Sequence, residues 1–269
     1  MVDYFSAYHD EVVAALTQHG NPRYGAAVAA DRRSSLEYLG VSAPEQRAVV
    51  KKGFSFYRLP ATEVLAVWDA LWRQSPYGEV LFCAFEYYGP RLKKAPEPAV
   101  WPVMRDWIGR VDNWAHADGL AGLYSRLLEA SPGEVYPQLD RWNAENGEWQ
   151  RRISLVSLIH YTGKNAVFLP PDKVLPMVSN CLDDRRYYVE KGLGWVLREM
   201  GLVYPAQITA YIEANIGVLG STAFARAIER SSPEERARLR ALRRRAHRRD
   251  VGRPVISSSD DDSAGPVLA

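Results

Sequence analysis

A chain of 269 residues can bury one large core or two small ones, and its 47% hydrophobic and 25% charged residues are ordinary for a globular protein. The net charge of only +2 excludes bulk electrostatics as the basis of polyanion binding, so any such site must come from local clustering. Two distant cysteines, Cys83 and Cys181, offer no disulfide framework and read as buried free thiols. The five scattered histidines show no zinc-ligand spacing. Met1-Val2-Asp3-Tyr4-Phe5 lacks the basic and apolar regions of a signal peptide, and no apolar run approaches the roughly 18 residues of a membrane span. The expected location is cytoplasmic.

Apolar residues recur at helical spacing almost throughout, and strand-like alternation is nearly absent. A first helix starts near Asp3 and ends at Gly20-Asn21-Pro22. Ser42-Ala43-Pro44-Glu45 reads as a capping box. Ser75-Pro76-Tyr77-Gly78 and Gly89-Pro90 bracket another helix. Asp112 or Asn113 can cap the next, which Ser131-Pro132-Gly133 closes. Pro170-Pro171-Asp172 opens a later one, where proline in the first turn loses no hydrogen bond. The helices fall into pairs at about 61–88, 97–129, 134–161, 172–200 and 204–230, a period of roughly 35 residues, near that of HEAT-type repeats. Leu123/Leu127, Leu155/Leu158/Ile159, Leu193/Val196/Leu197 and Ile208/Tyr211/Ile212 supply the expected buried stripes. The spacing predicts an all-α, HEAT-like helical-repeat solenoid; a helical bundle is the other architecture it allows. Pro233-Glu234-Glu235 begins an Arg-rich helix over 233–250, readable as a solvated face or as an auxiliary phosphate-binding element. The polar stretch over 251–269 is expected to be a disordered tail.

Three segments carry candidate chemistry. In Asn113-Trp114-Ala115-His116-Ala117-Asp118, Trp114 and Asp118 sit one helical turn apart on one face. A buried, unpaired carboxylate is costly, so Asp118 must face solvent, a partner or a ligand. His116, about 200° round the helix from Trp114, reads as a packing or surface residue. In Glu148-Trp149-Gln150-Arg151-Arg152, adjacent arginines at a helix start can hold a phosphate. In Arg185-Arg186-Tyr187-Tyr188-Val189-Glu190-Lys191-Gly192-Leu193-Gly194-Trp195, bases again stand near a helix start. Gly192 and Gly194, each costing about 1 kcal/mol in a helix, imply tight packing or room for something large beside Trp195.

The order Tyr38-Leu39-Gly40-Val41, Pro44-Glu45-Gln46-Arg47, Trp114-x-x-x-Asp118, Trp149-Gln150-Arg151-Arg152 and Lys191-Gly192-Leu193-Gly194-Trp195-Val196-Leu197-Arg198-Glu199 resembles the AlkD-like DNA alkylation-repair glycosylases over about 1–232. The resemblance implies a C-shaped solenoid with a concave DNA-binding face, acting as a monomer on duplex DNA containing alkylated purines, with no cofactor or metal. It makes Asp118 the catalytic aspartate, with Trp114 and Trp195 as the active-site indoles. Arg152, or with a one-residue shift Arg151, becomes the contact to the DNA backbone, with Arg185, Arg186 and Lys191 as further bases. Family members with established activity commonly carry Trp-Trp-Asp-Ser-Val-Asp where this chain has Asn113-Trp114-Ala115-His116-Ala117-Asp118.

The implied reaction is hydrolysis of the N-glycosidic bond of cationic N3- or N7-alkylpurines, bulky natural-product adducts included. Ionised Asp118 would stabilise the oxocarbenium-like sugar and position water. A non-catalytic binder of damaged or branched DNA on the same solenoid is the alternative, and a protein-scaffolding repeat a third reading.

Overall fold

Prolines and small polar side chains decide where the helices begin. The computed structural model describes residues 3–160 and 165–251, and side chains as far as 248. Asp3 caps α1 (Tyr4–Thr17), and Asn21 with Pro22 starts α2 (Pro22–Arg32). At α3 (Ala43–Lys52) the Glu45 carboxylate accepts from both the amide and the hydroxyl of Ser42, at 3.0 and 2.8 Å. Next come α4 (Ala61–Gln74), α5 (Gly78–Lys94), the short α6 (Trp101–Met104) and α7 (Trp114–Ala130), which Asn113 caps. Prolines stand at the first position of α8 (Pro132–Ala144), α10 (Pro171–Ser179), α12 (Pro205–Ala214) and α14 (Pro233–Val251). Between them lie α9 (Glu148–Val156), α11 (Tyr187–Val203) and α13 (Ser221–Ala227). No β-strand forms among the described residues. The expected disordered tail lies, beyond Val251, outside them.

Two element boundaries differ from the sequence reading. Gly89-Pro90 does not end α5, which continues to Lys94. The proline removes one backbone donor there, while burial of Tyr87, Tyr88 and Leu92 keeps the chain helical through it. The first member of the 97–129 pair is not one helix but a 3-10 turn (Pro98–Val100), α6 and a longer 3-10 stretch (Arg105–Arg110). Buried Trp101 and Trp107 dictate that path: the Trp107 indole donates to Asp69 at 2.8 Å, and its carbonyl accepts from the Trp72 indole at 2.9 Å.

The helices form an all-α helical-repeat stack. One row runs α3, α5, α7, α9, α11 and α13, each packed on the next; α4 flanks it against α1 and α5, α8 against α7 and α9, and α12 against α11. The leucine and isoleucine stripes read from the sequence are buried between the rows, together with fully enclosed Trp68, Trp72, Trp107 and Tyr124. The last helix, α14, docks on this stack through buried Leu239, and its Arg243 guanidinium lies 4.7 Å over the Phe224 ring of α13.

Candidate active site

The first turn of α7 is fixed from three sides. The Asn113 side-chain oxygen accepts the amides of Ala115 and His116 at 3.0 and 3.1 Å. Its amide nitrogen reaches Asp112 at 2.7 Å and His116 Nδ1 at 2.8 Å. His116 is fully buried, and its Nε2 reaches the Gly78 carbonyl at the start of α5 at 3.1 Å. With Nδ1 accepting from Asn113, the proton belongs on Nε2. Burial, with Arg32 nearby, pushes this imidazole down to about 4, so it is a neutral structural bridge near pH 7. Asp112 accepts from the Ser34 hydroxyl at 2.9 Å and the Ser35 amide at 2.6 Å, tying α7 to the segment after α2.

This scaffold presents half-buried Trp114 and, one turn on, Asp118. Gly119 admits the close approach of Phe85, since a Cβ there would strike its ring. Asp118 is 5% exposed, and both its oxygens accept from Arg152 of α9 (Nε and Nη2, each 2.9 Å). Arg152, itself 5% exposed, also donates from Nη1 to the Tyr188 carbonyl at 2.6 Å. Gly192 of α11 lies beside this guanidinium, although a Cβ there would meet Arg152 Nη1 only at an ordinary contact distance of 3.7 Å. Burial raises the Asp118 carboxyl above the usual carboxylate range, and the charges of Arg152 and Lys191 oppose that rise. A guanidinium bonded to both oxygens favours the charged carboxylate, so the geometry is that of an ion pair.

Trp114, Asp118, Arg152, Lys191 and Trp195 line one cleft of about 350 Å³, with Arg198 and Arg226 on its rim. Trp114 also borders two adjoining spaces. One, of about 230 Å³, lies towards Asp31, Tyr187 and Tyr188. The other, of about 620 Å³, lies towards Arg32, Arg47, Phe82, Phe85 and Arg126. The Lys191 ammonium sits 4.7 Å from the centre of the Tyr187 ring.

Five of the eight residues singled out in the sequence therefore meet in one cleft. Arg151, Arg185 and Arg186 lie elsewhere, engaged with the protein itself. Arg151 bonds the Glu145 carbonyl at 2.7 Å and Asp184 at 3.0 Å. Arg186 bonds Asp184 and the Asn146 carbonyl, and Arg185 the carbonyls of Leu182 and Val218, both at 2.7 Å. Burial alone would raise Asp184, but hydrogen bonds from Arg186 and Arg151 hold it at about 2. These three arginines stitch the turn before α11 to the segments preceding α9 and α13. Arg198, Arg226 and Tyr187 belong to the cleft region without having been singled out. For Arg198 the signal was present, because Lys191, Trp195 and Arg198 follow the i, i+4, i+7 spacing of one helix face. Among the described residues, no group of three His, Cys, Asp or Glu side chains is placed to hold a metal ion.

The family model described as DNA alkylation repair enzyme matches residues 12–230. A solved structure described as a predicted DNA alkylation repair enzyme from Enterococcus faecalis superposes with a TM-score of 0.65 at 16% identity, covering 80% of this chain and 98% of its own. AlkD2 from Streptococcus mutans aligns at 17% identity and a TM-score of 0.49, covering 77% of this chain and 95% of its own. No curated protein matches.

Proposed function

The chain belongs to the DNA alkylation repair enzyme family, and from that premise we propose that it hydrolyses the N-glycosidic bond of cationic N3- or N7-alkylpurines in duplex DNA. It would do so as a cytoplasmic monomer without a cofactor. The observation that carries this reading is the convergence of Trp114, Asp118, Arg152, Lys191 and Trp195 on one cleft.

An alkylated purine is already positively charged. When its bond to the sugar breaks, the electron pair leaves with the base and neutralises it, so no strong acid is required. The barrier lies in the oxocarbenium charge left on the sugar. An ionised carboxylate in a largely dry cleft stabilises that charge and can accept a hydrogen bond from the water that then adds. Asp118 has this character. Arg152 fixes its plane through two lone-pair positions and leaves the other two for water or the sugar. The half-buried indoles of Trp114 and Trp195 offer electron-rich faces to a cationic nucleoside. Lys191 supplies positive charge for a flanking phosphate, while Arg152, engaged by Asp118 and the Tyr188 carbonyl, positions the carboxylate.

The test is base release from a duplex carrying N7-methylguanine. Wild type should release the base, and Asp118→Asn should be slower by roughly 10²–10³-fold while still binding the duplex. Equal rates would remove Asp118 from the reaction. If wild type bound the duplex but released neither N7-methylguanine nor a bulky N3-alkyladenine, the protein would be a binder of damaged DNA.

A further inference from the structure

The helix α14 begins at Pro233, beyond the region matched by the family model, which ends at 230. Eight arginines and no acid lie between Arg236 and Arg249. A helix face that merely meets water commonly mixes signs, because like charges one turn apart repel and opposite charges attract. Here some of the array is neutralised and some is not. Arg238 pairs with Glu213 and Glu235, Arg236 donates to the Glu229 carbonyl at 3.3 Å, and Arg243 lies on Phe224 and donates to the Ile216 carbonyl at 3.0 Å.

The outer face is different. Leu239, Leu242 and Ala246 face the stack. At about 100° per residue, Arg240, Arg244 and Arg248 lie on the opposite side as a stripe one turn apart. All three are exposed, and among the described residues none has an acidic partner within salt-bridge distance. The stripe is about 12 Å long, the axial span of three to four phosphates on one strand of a duplex.

Its position also connects with the cleft. Arg198 lines both the Asp118 cleft and the hollow between α11, α12 and α14, where Arg230 and Leu239 also lie. Further along, Arg243 is close enough to Arg185, at the turn before α11, to feel its charge. The arginines between cleft and hollow are paired, Arg198 with Glu199 and Glu229 and Arg230 with Glu199, so the hollow links the cleft to α14 in space and not as a continuous basic surface.

We infer that the exposed face of α14, with Arg240, Arg244 and Arg248 at its centre, is a second duplex-DNA contact, gripping backbone phosphates away from the lesion. The partner is chosen by charge and shape. A row of guanidinium forks matches a row of phosphate oxygens, and it reads no sequence. Because it engages phosphate alone, this surface strengthens binding to any duplex long enough to reach it. The inference rests on the reading of the cleft as a DNA site, but it fails separately from it.

The experiment is the dissociation constant of full-length protein for unmodified duplexes of 10 and 30 base pairs, measured across 50–300 mM salt. Wild type is compared with Arg240→Gln/Arg244→Gln/Arg248→Gln and with Asp118→Asn. These arginines cover no core, and a circular dichroism melt confirms that the triple variant folds. For the long duplex, the salt slope of the triple variant should fall by about 2–3, and its affinity at low salt by at least tenfold. For the short duplex the two proteins should differ less. Asp118→Asn, which removes a negative charge from the cleft and leaves α14 intact, should not lower the slope. An unchanged slope in the triple variant overturns the inference even if wild type excises bases. A reduced slope with no base release from any alkylated duplex supports the surface while the glycosylase reading falls. Tighter binding of single-stranded RNA than of the 30-mer, lost in the triple variant, would overturn the choice of duplex DNA.

Discussion

The pairing of Asp118 with Arg152 makes each residue's removal a different experiment. Asparagine at 118 still accepts from a guanidinium, so Asp118→Asn tests chemistry with modest structural damage. Arg152→Ala instead strands a buried carboxylate. Breaking such a pair costs about 3–5 kcal/mol unless the carboxyl takes up a proton. The expected outcome is a lower urea midpoint together with an activity rise shifted to higher pH, since burial then acts on Asp118 without its main counter-charge. A variant with unchanged midpoint and pH profile would show that Arg152 does not hold Asp118 in solution. In wild type the carboxyl already lies above the usual carboxylate range, so activity should fall on acidification at a higher pH than an exposed aspartate would give. His116 gives a second prediction. Its folded value of about 4 lies below the ordinary histidine value near 6.5. Its contribution to stability is therefore complete above about pH 6.5 and is lost as pH falls towards 4, by up to about 3 kcal/mol. Urea melts at pH 7 and 4.5 should show wild type losing more stability than His116→Gln; equal losses would mean His116 protonates freely. At this scale Trp114 and Asp118 were legible through their i, i+4 spacing. The Arg152 fork was not, because its partner is 34 residues away. Arg151, Arg185 and Arg186 resemble a phosphate site only when read as neighbours. Asp184, beside two of them in the sequence, was the overlooked sign of an internal network.

Helix ends were the most legible elements, because capping chemistry is local. Ser42 with Glu45, Asn113, Pro171 and Pro233 all mark real starts, and Ser131-Pro132, read as a helix end, also opens α8. Interiors were less so: Pro90 lies inside α5, and two buried indoles bend the 97–110 segment into short turns, both effects of tertiary burial. Gly192 and Gly194 of α11 separate cleanly. A Cβ on Gly194 would come within 2.5 Å of the Ala223 carbonyl and 2.7 Å of Arg226 Cβ, so Gly194 is what lets α13 approach. At Gly192 the nearest atom is Val156 Cγ2, at an ordinary 3.4 Å. Gly194→Ala should therefore destabilise by about 1–3 kcal/mol. Gly192→Ala should be neutral or stabilising by up to about 1 kcal/mol, because alanine is the better helix former. Thermal melts of the two variants check this, and the reverse order would refute the packing assignment.

For the whole molecule, the roughly 35-residue period was visible in the sequence, and the stacked rows follow from it. The docking of α14 was not visible, since its composition is dominated by arginine and, among its described side chains, a single one, Leu239, becomes fully buried. Truncation after Ser232 should lower stability by about 1.5–3 kcal/mol, the transfer free energy of one buried leucine plus partial burial of its neighbours. Urea denaturation of the truncated chain measures this, and an unchanged midpoint would make α14 a detached appendage.

The side-chain ties between helices keep one spacing along the chain. Trp72 with Trp107 is 35 residues apart, His116 with Gly78 is 38, Arg152 with Asp118 is 34, Arg151 with Asp184 is 33, and Arg198 with Glu229 is 31. These ties join each repeat to the one before it, while a few bonds near the start of the chain reach further, as from Asp112 to Ser34 and Ser35 and from His9 to Ser75. Short-range closure of this kind favours rapid folding, since only small loops must form before contacts are gained. Each pair of helices can assemble on its predecessor while the chain is still leaving the ribosome, and the Asp118–Arg152 pair is completed once α9 has emerged. Amide exchange should accordingly be slowest in the middle of the stack and fastest towards both ends, where a repeat has one neighbour instead of two.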